Sequence, residues 1–162
     1  MFLACSGSKD GGQLDDNVKS QQSVVDSADF FYARASEKEA KKDFQGAIED
    51  YNKALEHANP DGSIYWGSIN NRGLIKMSQF ANYEGALEDF NQVLNIDTSQ
   101  LPAAVFGTRL YAGYSNRGLV KAYLIDTIGA CEDCTRSLKY VPDWTTEEEY
   151  STIKKELEKF CK

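Results

Sequence analysis

The sequence predicts an all-α protein made of three consecutive helical pairs and a closing terminal helix. Three observations lead there. Only three prolines and twelve glycines interrupt 162 residues that are 41% hydrophobic, so the chain can bury a core and is seldom broken. A ten-residue pattern recurs as Gly46-Ala47-Ile48-Glu49-Asp50-Tyr51-Asn52-Lys53-Ala54-Leu55, Gly85-Ala86-Leu87-Glu88-Asp89-Phe90-Asn91-Gln92-Val93-Leu94 and Gly129-Ala130-Cys131-Glu132-Asp133-Cys134-Thr135-Arg136-Ser137-Leu138. A second pattern precedes the last two, as Asn71-Arg72-Gly73-Leu74-Ile75-Lys76 and Asn116-Arg117-Gly118-Leu119-Val120-Lys121. Two patterns repeating in register describe stacked units, each covering the apolar face of its neighbour.

Residues 1–22 are polar and glycine-rich without an apolar period and read as a flexible leader. The repeat domain spans 23–162, with helices expected at 23–42, 45–58, 63–79, 84–96, 102–125, 128–140 and 146–161. In the second helix Ala47, Tyr51, Ala54 and Leu55 fall at i, i+4, i+7 and i+8, one apolar face. Asn59-Pro60-Asp61-Gly62 is a turn signal, with Ser63 as the expected N-cap of the third helix. The region from Thr98 to Leu110 is an insertion; Pro102 suits a first helical turn, and the long helix after it, Ala103 to Leu124, is expected to project beyond its neighbours. Thr145-Thr146-Glu147-Glu148-Glu149 contains a capping box. Tyr150, Ile153, Leu157, Phe160 and Cys161 form one stripe, as a helix covering the last unit requires.

With these residues in view, the chain resembles the tetratricopeptide repeat family. In that family a small residue in the first helix meets an Ala in the second, an aromatic follows four residues later, and a Pro often ends the unit. Gly73, Ala86 and Phe90 fill those places in one unit; Gly118, Ala130 and Pro142 in the next; Ala35, Ala47, Tyr51 and Ala54 in the first, with Pro60 one residue late. The units run about 28–60, 66–98 and 111–143. The resemblance implies a right-handed α-solenoid of three such pairs plus a C-terminal capping helix. The spacing departs from the family's period of about 34 residues, since Ala86 follows Ala47 by 39 and Ala130 follows Ala86 by 44.

Charge and composition narrow the function. A net charge of −7 without a dense basic run argues against a nucleic-acid partner. No stretch approaches the roughly 20 apolar residues of a membrane-spanning helix. Leu3-Ala4-Cys5 resembles the lipobox at the end of a bacterial lipoprotein signal peptide, and the polar run after it suits a tether, but the charged and hydrophobic regions of such a signal are missing. Cys5 is therefore the lipidation candidate. A lipidated chain would sit in the bacterial cell envelope, facing the periplasm or the surface; otherwise it would be cytoplasmic.

Candidate chemistry is sparse. His57, the only histidine, falls in the last turn of a helix, where it suits the negative helix end better than acid/base work. No hydrolase elbow, phosphate loop or dinucleotide loop is present. Cys131 and Cys134 make a CxxC, but they take the places of Ile48/Leu87 and Tyr51/Phe90, so packing is the favoured reading. A disulfide to Cys161 is the alternative, ahead of metal or redox chemistry, for which a second ligand pair is lacking. The pairs Glu49/Asp50, Glu88/Asp89 and Glu132/Asp133 are adjacent on helices and diverge by about 100°. They read as partners of Arg72 and Arg117 between neighbouring units rather than as catalytic carboxylates. No cofactor, metal site or catalytic residue is expected.

The expected function is protein–protein interaction: a peptide or protein segment held in a concave groove lined by the first helix of each unit. The resemblance places Tyr32, Ser36, Glu39, Asn70, Asn71, Leu74, Met77, Ser115, Asn116, Leu119 and Tyr123 on or near that groove. Asn71 and Asn116 could pair with a bound backbone or bridge helices. The basic carboxylate clamp of some family members is not matched, because Tyr32, Ser36, Ala112 and Asn116 stand at its places beside Asn71. An envelope lipoprotein binding a small molecule or glycan for an uptake system is the alternative, with Tyr65, Trp66, Tyr111 and Tyr114 able either to stack on sugar rings or to pack between units.

Overall fold

The computed structural model describes residues 27–96, 103–143 and 145–161. The leader, Cys5 and Pro102 lie outside them. The described residues are helical and carry no strand. The elements are α1 (27–40), α2 (Phe44–His57), α3 (Ser63–Phe80), α4 (Tyr83–Asn95), α5 (Ala103–Tyr123), α6 (Thr127–Ser137), a 3-10 turn at Leu138–Tyr140, α7 (Glu147–Glu158) and a last 3-10 turn at Lys159–Cys161. No helix is long and apolar enough to cross a membrane among the described residues.

The turn inside each pair is the same device used three times. The first helix stops at a residue with positive φ: Lys42 (64°), Ala81 (48°) and Ile125 (64°). The next amide bonds back to a lysine carbonyl, Asp43 to Lys38, Asn82 to Lys76 and Asp126 to Lys121, a left-handed C-terminal cap. That residue then caps the second helix, its side chain accepting from the amide of Gly46, Gly85 or Gly129. This explains the recurrent glycine, since a Cβ on Gly85 would stand 2.7 Å from Asn82 Nδ2. Ser63 is not the N-cap expected for α3. Gly62 holds that place without a side-chain bond, because Asn59 closes the turn instead, accepting from the amides of Asp61 and Gly62.

Helices close in sequence are close in space: α2 on α3, α3 on α4, α4 on α5, α5 on α6, with α3 also touching α5. One core cluster joins Ala35, Ala47, Tyr51 and Ile75, another Ala86, Phe90 and Val120. Within a pair the backbones approach where a side chain is missing. A Cβ on Gly73 would meet Phe90 Cε1 at 2.9 Å, and one on Gly118 would meet Cys134 Sγ at 2.8 Å.

The N-terminal extension of α5 does not project freely. Arg109 and Leu110 are buried, Arg109 Nη2 donates to Ile96 O at 3.1 Å, and Phe106 meets the Tyr140 ring edge-on. The 3-10 turn after α6 supplies the surface that sequence spacing could not show. α7 starts at the expected capping box: Glu149 Oε2 accepts from Thr146 N, and Thr146 Oγ1 accepts from Glu149 N. It packs on α6, and Tyr150 is half-buried; the side chains of Ile153, Leu157 and Phe160 lie outside the described residues.

Cys131 corrects its favoured reading. It is disulfide-bonded to Cys161, tying the end of the chain to α6, while Cys134 alone packs as a buried free thiol. Three residues apart, the two side chains diverge by about 60° around α6: Cys134 lies against Gly118, and Cys131 reaches the terminal segment.

Candidate functional site on the first helices

Each pair is locked by a buried aspartate held between two cations of its own first helix. Asp50 meets Arg34 at 2.6 Å and Lys38 at 2.9 Å; Asp89 meets Arg72 at 2.6 Å and Lys76 at 2.8 Å; Asp133 meets Arg117 at 2.7 Å and Lys121 at 2.8 Å. The Arg and Lys are four residues apart, on one helical face. The hydrogen bond from Arg34, helped by Lys38, lowers the Asp50 carboxyl to about 2. Burial alone would raise Asp133, but the bonds from Arg117 and Lys121 outweigh it and hold the group below the ordinary range. The adjacent Glu49, Glu88 and Glu132 are exposed. The aspartate bonds therefore lie within units and not between them as the sequence suggested. The link to the preceding unit runs through a different atom: Arg72 Nη1 donates to Asn52 Oδ1 (2.6 Å) and Arg117 Nη1 to Asn91 Oδ1 (2.9 Å). The third copy, Arg34-Ala35-Ser36-Glu37-Lys38, was legible as Arg-small-x-x-Lys once the aspartates were aligned.

Across the first helices runs a chain of amides and phenols. Asn116 Nδ2 donates to Asn70 Oδ1 (3.0 Å), and Asn70 Nδ2 donates to Asn71 Oδ1 (3.4 Å). Asn71 Nδ2 donates to both Tyr51 OH (3.1 Å) and Tyr32 OH (3.3 Å), and Tyr51 OH donates to Glu39 Oε2 (3.1 Å). Both amide protons of Asn71 are used, so it bridges helices. Tyr51 is fully buried and its phenol is pushed up, chiefly by burial. Its part was hidden in the sequence by its reading as a core aromatic.

The expected groove residues divide by what their side chains already do. Tyr32, Asn70 and Asn71 are tied into the chain of bonds. Leu74 and Met77 pack against the Ala86–Phe90–Val120 cluster. Ser115 Oγ donates back to Tyr111 O (2.7 Å) within its own helix, and Leu119 is half-buried. Ser36 is exposed and shares a hydrogen bond with Tyr51 OH (3.3 Å). Tyr123 is 55% exposed and stacks on Tyr83 with centroids 4.9 Å apart. Asn116 and Glu39 are half-buried, each with polar valence left among the described residues.

The remaining candidates make contacts within the fold. His57 stacks on Phe31, as Tyr140 stacks on Tyr114 in the third unit. Tyr65 accepts from Gln92, and burial raises the Tyr111 phenol. Cys134 has its thiol pushed up to about 11 by burial and by the Asp133 charge beside it, the opposite of a reactive thiolate. No group of three or more metal-ligating side chains occurs among the described residues. No protein-family model matches the chain, and no curated protein is significantly similar to it.

Proposed function

We propose that the three helical pairs form a tetratricopeptide-like right-handed solenoid whose first helices hold a peptide or protein segment of another protein. The observation that carries this reading is the joining of α1, α3 and α5 through Asn71–Tyr32 and Asn116–Asn70. That gives one continuous polar face, while the second helices and the aspartate clamps serve the stack. Ser36, Glu39 and Asn116 offer a bound backbone a hydroxyl, a carboxylate and an amide, and Tyr123 adds an exposed ring. The ligand that fits is an extended segment with alternating polar and apolar contacts.

The Cys131–Cys161 disulfide supports placing the chain in an oxidising compartment, in line with Cys5 as a lipidated residue in a bacterial envelope. Palmitate labelling of the chain expressed with a complete lipoprotein signal tests this part, and a C5S control must abolish it.

The groove reading is tested by isothermal titration with peptides selected on an array, using the intact chain, N116A and Y123A. Both substitutions should weaken binding at least fivefold with the fold retained. Unchanged affinity in both moves the site off the first helices.

A further inference from the structure

The outer side of the first unit repeats, with nothing against it among the described residues, a contact that the molecule fills twice internally. Counting from the clamp arginines, Phe30 is equivalent to Ser68 and Gly113. Both equivalents are buried; Gly113 lies where a Cβ would stand 2.7 Å from Leu94 Cδ2, on the preceding unit. Phe30 is instead a large ring, 58% exposed. The arginines show the same contrast. Arg72 and Arg117 are 16% and 17% exposed and give Nη1 to an Asn of the preceding unit, whereas Arg34 is 37% exposed and its Nη1 has no partner among the described residues.

Arg34 also stacks over Phe30 and Phe31, 5.1 Å from each centroid, and Lys53 lies 5.7 Å from the Phe31 centroid. Arg34 is held by Asp50 along its Nε–Nη2 edge, so its Nη1 edge and the Lys53 ammonium are the polar groups beside these rings. Nearer the turn, the positions of buried Ile75 and Val120 hold Glu37, exposed and paired with Lys41. That end of the face is finished for water, and the Phe30–Arg34 end is not.

We infer that the Phe30–Arg34 end of this face docks a helix of a partner protein that presents an Asn or Asp to Arg34 Nη1. Three residues further on the helix carries a small apolar residue against the Phe30 ring. The internal precedent sets this chemistry: Asn91 meets Arg117, and Leu94, three residues later, covers Gly113. The bulk of Phe30 takes the place of that leucine. A second copy of the chain does not offer the match, because its other end shows Thr135 where Asn52 and Asn91 stand, and α6 there is covered by α7 and the disulfide. This surface is separate from the first-helix groove.

The probe is a lactam-bridged helical peptide copying Phe44–His57 with L55A, titrated into the full chain and followed by the Arg34 Nε–H signal and the amides of Phe30 and Lys53. Saturable shifts at these groups are expected. F30S, which copies the residue of the second unit, should weaken binding at least fivefold, as should N52A in the peptide, and N116A in the protein should leave it unchanged. Equal binding to F30S, shifts confined to other residues, or no saturable binding overturns the inference. So does binding that appears only after residues 1–22 are deleted, which assigns the face to the leader. A concentration-dependent dimer that F30S dissolves assigns it to a second copy and likewise overturns the partner helix.

Discussion

Asn71 donates to Tyr51 OH at 3.1 Å, so an amide on α3 closes over a phenol rooted in α2 and fully buried. This bond ties the second unit to the first, and Asn116 continues the chain through Asn70 to the third. The two asparagines are equivalent in sequence, yet only one has both amide protons used.

The N71A protein should lose about 1–3 kcal/mol of stability, the cost of removing the two bonds the amide gives to the buried Tyr51 phenol oxygen and to Tyr32, although Tyr51 OH keeps Glu39 as its acceptor. N116A should lose about 1 kcal/mol, because its amide gives one bond, to Asn70 Oδ1, where that of Asn71 gives two. Urea melts of both variants, each beside the parent chain, check this; equal losses would show that the second bond of Asn71 adds nothing.

Asp133 is fully buried between Arg117 and Lys121, which are 17% and 21% exposed. D133N should cost about 2–3 kcal/mol, below the 3–5 typical of a fully buried broken pair because the cations still reach water. E132Q, on the exposed neighbour, should change stability by no more than about 0.5 kcal/mol. Comparable effects would mean the Glu-Asp pair acts as a unit.

Acid should unlock the clamps. Asp50 and Asp133 are held below their unfolded values, so the stability they contribute is present above the ordinary carboxylate range and is lost as pH falls through the folded value, about 2 for Asp50. The thermal midpoint is expected to drop steadily between pH 4 and pH 2. In R34A the Asp50 part of that drop should shift to higher pH, measured by carboxyl carbon chemical shifts. An unshifted Asp50 titration in R34A would remove Arg34 as the cause.

Breaking the Cys131–Cys161 bond by C161S should destabilise the terminal segment by about 2–4 kcal/mol, the usual worth of a closed loop of this order. Hydrogen exchange should speed up in α7 and the last turn of α6 and stay slow in α2 to α4. Cys134, buried and with its thiol raised, should stay unreactive to thiol reagents in the folded chain. Uniform loss of protection along the chain would show that the staple supports the whole stack.

Two glycine substitutions in α5 should have opposite signs. G118A puts a Cβ 2.8 Å from Cys134 Sγ and should cost about 1–3 kcal/mol. G107A meets nothing nearer than Tyr140 O at 4.0 Å and should gain up to about 1 kcal/mol from helix propensity. Calorimetric melts of the two proteins decide it.

Periodicity and repetition sufficed for the helices and their order, because an apolar face at 3.6-residue spacing and a capping residue are local properties. Repetition also marked Asp50, Asp89 and Asp133 as recurrent, and the family resemblance marked Gly73, Gly118, Ala86 and Ala130 as close-contact positions. What those carboxylates meet depends on which side chains a folded pair brings together. The link within each unit, the separate Asn contact between units and the use of Asn71 as a bridge all join residues 16 to 46 positions apart. The same holds for Cys131 and Cys134: both occupy second-helix core positions in the alignment, and only the path of the chain after α6 turned one of them toward Cys161. The outer face of the first unit is the clearest case. The residues were readable as a repeat, but that Phe30 stands exposed where its counterparts are buried follows from its place at the edge of the stack, because burial is set by neighbours in space rather than along the chain.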